Sequence, residues 1–369
     1  MTTFSQPEEQ KRQLHGLRIR DFLTTLTSAT SAVAATAFLF TIAPLAGGLT
    51  FVLIAYVLFV VFYALITSLD DDREGVKDRV ASVIIRSAAV VIFSTLIFIV
   101  AFTLARGAEA LPFLNFFTED MSLAGPLDPL TSGGIIHAII GSLIQIVIAL
   151  AITIPLGLIT AVFLNEMPGK YSRFVRTMVE AMTALPSIVA GLFIYATAIL
   201  ILGVQKSGVA AALAISVMML PIMIRASDVV LRIVPSTLKE ASLGLGAGAW
   251  KTAWMVTLPT ARSGLTTAII LATARGIGET SPVLLTSGFT ASLNLDPTNG
   301  PMVSLPLAIF QFVKSPEPTM IARGFGTAAV LMLLVLILFL LARILGSETN
   351  PFGRLLKALK SIGKKKVAK

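Results

Sequence analysis

Residues 235–262 read PSTLKEASLGLGAGAWKTAWMVTLPTAR, a polar and amphipathic insert between two stretches apolar enough to cross a bilayer. Pro235 and Ser236 open a helix, with Ser236 as N-cap, and Leu238, Ala241 and Leu245 then recur on one side at helical spacing. Gly244, Gly246 and Gly248 require a turn or a close approach of backbones. Trp250 and Trp254, four apart, sit on a second short helix that ends near Pro259. Two short helices with a bend between them present an apolar, aromatic face outside the hydrocarbon. Such a face suits the docking of another protein. It also suits a helix pair resting at the level of lipid headgroups, which Trp and Lys favour. The pattern by itself leaves both open.

Composition places this insert in a membrane protein. Of 369 residues, 55% are hydrophobic and only 13% charged, whereas a soluble domain carries about a quarter charged. The net charge of +9 does not point to nucleic acid, because the basic residues are spread over short segments between apolar runs. With no cysteine and two distant histidines, His15 and His137, the chain offers neither a disulfide nor a thiolate or histidine metal cluster. GLGAGAWKT, at 244–252, resembles a phosphate-cradling loop only superficially. Trp250 stands where G-x-x-x-x-G-K-[ST] requires glycine, and no strand precedes it, so an ATP site is not expected in this chain.

Apolar runs predict eight spans, near 27–44, 49–69, 82–104, 135–164, 179–202, 209–231, 265–286 and 327–345. The connector DDDREGVKDR at 70–79 reads as a solvated loop, since no calcium-loop spacing follows its aspartates. Pro155, Gly157, Pro186, Gly191, Pro221, Gly276, Gly278 and Pro282 crowd into spans four to seven and mark a packed, irregular core. The methionines at 218, 219 and 223 read as part of its packing. Of the 29 Lys and Arg, 22 fall in the two terminal segments and in 70–79, 170–176 and 232–262. Four, Arg106, Lys206, Lys314 and Arg323, fall in the alternate segments. This asymmetry puts both termini and the 235–262 insert in the cytoplasm, with 106–133 and 290–323 outside. The tail ending KKKVAK also suits anionic headgroups.

Three charges inside spans need an account. Arg275 stands about ten residues into its span, near mid-bilayer at ~1.5 Å per residue, and Glu279 follows at the i, i+4 spacing of an ion pair. Neither can face lipid. A buried clamp that fixes register is one reading; an anion route with Glu279 orienting Arg275 is the other, and Arg225 in the preceding span is a second guanidinium for it. His137 reads as packed rather than as a proton carrier. Ser142, Gln145 and Thr153 either line a polar route or hydrogen-bond between helices.

The insert also carries a resemblance. Glu240, Ala241 and Ser242, then Gly246, then Val256, Leu258 and Pro259 resemble the EAA motif of ABC importer permeases, with Ser242 in place of Ala and Val256 in place of Ile. From about 82 to 346 the chain is similar to the phosphate permeases of that family. ARGIGETSP at 274–282 and MLPIMIRASDVVLRIVP at 219–235 are the most telling stretches. The resemblance implies an all-α polytopic membrane protein with the bundle of a type I ABC importer permease, about eight transmembrane helices and a cytoplasmic coupling helix loop. It implies a permease domain at 82–346, preceded by a segment 1–26 and an additional transmembrane hairpin 27–69, and followed by a basic tail 347–369.

The same resemblance implies a subunit of an ATP-driven phosphate importer in the bacterial inner membrane. This chain would hold no cofactor and do no covalent chemistry, with ATP and Mg on the partner ATPase. The implied partners are a second homologous permease, an ATP-binding cassette ATPase dimer, an extracytoplasmic phosphate-binding protein, inorganic phosphate and the lipid bilayer. Glu240, Ala241, Ser242, Gly246, Leu258 and Pro259 would engage the ATPase, and Arg225, Arg275 and Glu279 would serve translocation. The motif does not encode the substrate, so a sulfate or molybdate permease is the alternative. A secondary anion transporter would show related halves with paired broken helices, and no such repeat is evident. A scaffold that transports nothing fits the insert but not the charges within spans.

Overall fold

The computed structural model describes residues 19–43 and 46–346, and these are all-α apart from turns and loops. The expected segment 1–26 lies largely outside the described residues, and the tail 347–369 wholly so. The chain divides into two compact units on either side of Val100.

The first unit holds α1 (Ile19–Ile42), α2 (Gly48–Thr67) and most of α3 (Arg73–Gly107). Ser28, Ala32 and Thr36 recur every four residues on α1 and are fully buried, small enough to let α2 approach closely. Phe22, Val33 and Phe38 on α1, and Leu49, Val52 and Leu53 on α2, are exposed, as suits helices bathed in lipid. Arg79 joins the elements at one end, with Nε 2.6 Å from Asp71 and Nη1 3.1 Å from Asp21. The connector at 70–79 is not the plain loop expected. Asp72 accepts from the Gly75 N–H at 3.1 Å, an N-cap bond that starts α3 within the charged run.

The second unit continues with α4 (Asn115–Thr118), α5 (Ile136–Glu166), α6 (Lys170–Thr183) and α7 (Ser187–Ile194), which runs on with π winding over Tyr195–Ile201. Next come α8 (Gly208–Ile233), α9 (Ser236–Gly244) and α10 (Ala249–Thr252), then a π-wound Ala253–Thr257 leading into α11 (Leu258–Ile277). The chain closes with α12 (Ser281–Thr286), α13 (Leu305–Val313) and α14 (Pro318–Gly346).

Helix α8 is the axis, flanked by α5 and α11. Its alanines at 210, 211, 212 and 214 are buried and allow close packing, Ala214 against Ile194 and Ala198 of the α7 segment. Met219 and Met223 fill the gaps opposite Gly276 and Gly157, the packing role read from sequence. Gly141 lies against the Val303 carbonyl, where any side chain would collide with backbone.

Among the described residues seven helices are long and apolar enough to span a membrane. An eighth span arises if the bent pair Lys170–Thr183 and Ser187–Ile201 counts as one. That pair corrects the span expected at 179–202. The basic link is itself helical, and the chain turns by 104° where Pro186, with ψ 141, is extended rather than helical. Pro155, by contrast, does not interrupt α5. The stretch 290–323 also differs from expectation. It contains α13, whose Leu305, Leu307 and Phe312 are in the core, and the start of α14. Arg323, counted with the outer loops, stands within α14 and is fully buried. Its Nη2 donates to the carbonyls of Pro129 and Ser132, each at 2.7 Å, and so holds the loop before α5.

Candidate functional site

The charged site forms where α11 ends. Gly276 and Gly278 weaken the helix there, and a new helix, α12, starts with Pro282 in its first turn. The expected single span at 265–286 is therefore broken between Ile277 and Ser281. Arg275 occupies the last turn of α11 rather than the middle of a helix, and Glu279 lies in the break. They form the predicted ion pair, Arg275 Nη1 to Glu279 Oε1. The pair is lopsided: the carboxylate side chain is 5% exposed and the guanidinium 48%. Ser187, opening α7, reaches the same carboxylate.

Gly264 packs on Val230, and Gly276 on Met219 and Ile215, so α8 and α11 run in opposite directions. Along one flank lies a groove of about 560 Å3 lined by Ile222, Arg225, Val229, Gly264, Thr267 and Leu271. Arg275 is one helical turn beyond Leu271 on the same flank of α11. Taking Met219 as its level, Arg225 is six residues further along α8, an axial step of about 9 Å. Arg225 thus lines the groove, and Arg275 stands one turn beyond its end with Nη1 on Glu279. Asp228, about one turn beyond Arg225 on α8, pairs with Arg176 at 3.4 Å and Arg232 at 3.0 Å.

Two of the other polar candidates hold structure together. Gln145 Nε2 donates to the Met302 carbonyl at 2.8 Å, and Ser142 Oγ accepts from the Leu305 N–H at 2.7 Å, so both secure the segment entering α13. His137 is buried with neither ring nitrogen hydrogen-bonded to protein, and Thr153 is likewise buried. Among the described residues no three His, Cys, Asp or Glu cluster as metal ligands.

The second site is the insert. Glu240, Ala241 and Ser242 lie on α9, but Ser236 is its first residue rather than its cap; Pro235 precedes the helix, and no side chain caps it. Gly246, at φ +84, takes the left-handed conformation that closes the bend, and its N–H donates to the Leu243 carbonyl at 2.9 Å. Ser242, the departure from alanine, bonds Thr252 Oγ1 at 2.9 Å and ties the two arms. Trp250 and Trp254 stack edge to face at 5.7 Å and are exposed, as are Leu238, Leu243 and Leu245.

The second arm does not end at Pro259. Helical winding continues from Ala249 to Ile277, with Leu258 and Pro259 in the first turn of α11. Proline is tolerated there, and the π-wound stretch before it accommodates the changed register. Sequence reasoning missed Lys239, whose Nζ lies 2.7 Å from Glu166 at the end of α5.

Chemically, the flank offers planar cationic donors to an oxyanion, with one of them restrained by a buried carboxylate. The insert offers an apolar, aromatic platform joined directly to the helix that carries Arg275.

Residues 153–350 match the family model described as binding-protein-dependent transport system inner membrane component. The chain is similar to the phosphate transport system permease protein PstA 1 of Mycobacterium tuberculosis (strain ATCC 25618 / H37Rv). They are 39% identical over 264 residues, covering 71% of this chain and 85% of that protein. The phosphate transport system permease protein PstA of Mycobacterium leprae (strain TN) is 38% identical over 264 residues, with 71% and 86% covered. That of Pasteurella multocida (strain Pm70) is 36% identical over 250 residues, with 66% and 86% covered. Among solved structures, an inward-facing MetNI methionine ABC transporter is 19% identical with a TM-score of 0.41, covering 61% of this chain and 94% of that one.

Proposed function

This chain belongs to the binding-protein-dependent transport system inner membrane components, and from that membership we propose that it is the permease subunit of an ATP-driven phosphate importer. It is a multi-pass inner-membrane permease, not an enzyme. Phosphate would be delivered by an extracytoplasmic binding protein and pass between this chain and a second, homologous permease. An ATPase dimer carrying ATP and Mg would dock on the insert 235–262, and both termini would be cytoplasmic.

The observation that carries the reading is the flank of α8 and α11, where Arg225 and Arg275 lie about 9 Å apart along the axis and Glu279 is buried beside the second. Phosphate presents charged oxygens that guanidinium groups bind through paired donors. Glu279 neutralises Arg275 in part, so the anion is attracted without being trapped. Release toward the cytoplasm requires a second conformation with different affinity, and the free energy for that change enters where the ATPase meets the insert. Within the insert, Glu240, Ala241 and Ser242 supply the docking helix, Gly246 its bend, and Leu258 and Pro259 its junction to α11.

The same donors suit sulfate or molybdate; the names of the relatives favour phosphate. The test is uptake of radiolabelled phosphate and sulfate in cells lacking their own phosphate importer and supplied with this chain and its partner subunits. Phosphate uptake that ceases when the ATPase is inactivated is expected. Uptake of sulfate but not phosphate would overturn the substrate, and uptake that follows an ion gradient without the ATPase would overturn the energy source.

A further inference from the structure

Glu279 also lines a small cavity inside the bundle, together with Ser142, Gln145, Ile146, Ile215 and Ser304. Its volume of about 10 Å3 accommodates one water molecule. Four polar groups on its wall have hydrogen-bonding capacity left over. Gln145 directs its amide N–H to Met302, and its Oε1 is buried without a donor. Glu279 is ion-paired through Oε1 with Arg275 and reached by Ser187, but an ionised carboxylate has about four acceptor sites, so it has room for a further donor. Ser142 Oγ accepts from the Leu305 N–H at 2.7 Å and Ser304 Oγ from the Leu307 N–H at 3.4 Å. Each hydroxyl therefore keeps a proton to donate.

We propose that this cavity seats one structural water, which donates to Gln145 Oε1 and Glu279 Oε1 and accepts from Ser142 and Ser304. Gln145 is thereby a positioning residue for Glu279. Two acceptors and two donors around a single-water space match the two to four partners that buried waters take. Without the water, the buried Gln145 Oε1 would have no donor. A cation is the poorer occupant, because the seryl oxygens already accept from backbone N–H groups and Arg275 already neutralises the carboxylate. The water connects Glu279 through Gln145 to the Met302 carbonyl, which also accepts from Ser287 Oγ at 2.8 Å. Glu279 is thus held from two directions, by Arg275 and by the segment entering α13.

The inference rests on Glu279 serving transport, and the experiment separates the two. In the complete transporter with its partner subunits, assembled complex and phosphate uptake are measured separately. Gln145→Leu should lower uptake about tenfold at near-normal assembly, the expected scale for one orphaned buried partner. Ser304→Ala should lower it less, and the two together should lose no more than Gln145→Leu alone, since both act through one water. Losses that multiply would overturn the shared water while leaving Glu279 its role. Normal uptake by Glu279→Gln would overturn that role and this inference with it. A high-resolution map of the wild-type complex should show a peak within hydrogen-bond reach of Gln145 Oε1 and Glu279 Oε1 that is missing in Gln145→Leu. No peak with the two side chains in direct contact, or a peak that follows sodium or potassium concentration, would overturn it.

Discussion

Lys239 on α9 reaches Glu166 at 2.7 Å and Asn165 Oδ1 at 2.6 Å, fastening the short helix of the insert to the end of α5. Helix α5 carries Ser142 and Gln145 toward its other end, about 36 and 32 Å from Glu166. Push on α9 is therefore shared between α8, to which it is joined by chain, and α5, to which it is joined by charge.

Both side chains of that pair are 19% exposed, so it should contribute more than a surface salt bridge, of order 1 kcal/mol. A double-mutant cycle with Lys239→Met and Glu166→Gln, read by thermal unfolding of the purified chain, should give a coupling of that size. Lys239→Met should also raise ATP hydrolysed per phosphate imported. Additive effects with unchanged stoichiometry would remove the fastening from the mechanism.

A Cβ added at Gly246 would meet open space, so what restricts the position is its φ of +84. Gly246→Val should destabilise the bend by about 1–2 kcal/mol, while Gly246→Asn, which tolerates the left-handed region, should cost distinctly less. The readouts are co-purification of the ATPase and phosphate-stimulated hydrolysis. Equal behaviour of the two variants would point to a steric clash with a partner as the cause.

Arg275 and Glu279 should not respond alike. Arg275→Met leaves a buried carboxylate unpaired and should lower the amount of assembled complex. Glu279→Gln leaves a half-exposed arginine and should spare assembly while reducing uptake. The double variant should recover assembly but not uptake. Full uptake at normal assembly in the double variant would reduce the pair to a structural clamp.

Asp120 accepts from the Ser122 hydroxyl at 2.6 Å, the Ser122 N–H at 3.0 Å and the Leu293 N–H at 3.0 Å, drawing two loops together. The Ser122 hydroxyl foremost, with the two backbone N–H groups, holds its carboxyl below the usual 3.8. A carboxylate whose folded value is depressed stabilises the junction fully above its unfolded value and loses that contribution as pH falls through the folded one. Protease cleavage near 290–300 should be flat with pH from neutrality down to about 4 and rise only below it. A rise already at pH 6 would assign the junction to another group.

The charge asymmetry predicts that single cysteines at Ser122 and Leu245 label from opposite sides of the membrane, Leu245 from the cytoplasm. Labelling from one side would invert or break the topology.

Long apolar helices such as α2, α5 and α8 were legible because composition alone commits them to the bilayer. The breaks were not, since mean hydropathy carries no direction; Pro186 and the Gly278 to Pro282 run were the available signals. Helix α13 was missed because nine residues are too few for a span, although Ser304 ahead of Pro306 marked its start. Arg323 was assigned to a loop because its partners are backbone carbonyls, which no sequence pattern announces. The Arg275 and Glu279 spacing was legible; that only the carboxylate is buried followed from where α11 ends.

The unbroken winding from Ala249 to Ile277 makes the insert and the charged site two ends of one lever. With its fulcrum at Gly264 the arm to Arg275 is about 16 Å, so a tilt of about 10° imposed at the tryptophans sweeps the guanidinium through about 3 Å. That is the span between touching an anion's oxygen and standing clear of it. Nucleotide-driven closure would therefore need no relay of intermediate side chains to alter the grip on phosphate, only a stiff rod and a fulcrum, which the packing of Gly264 on Val230 supplies partway along its length.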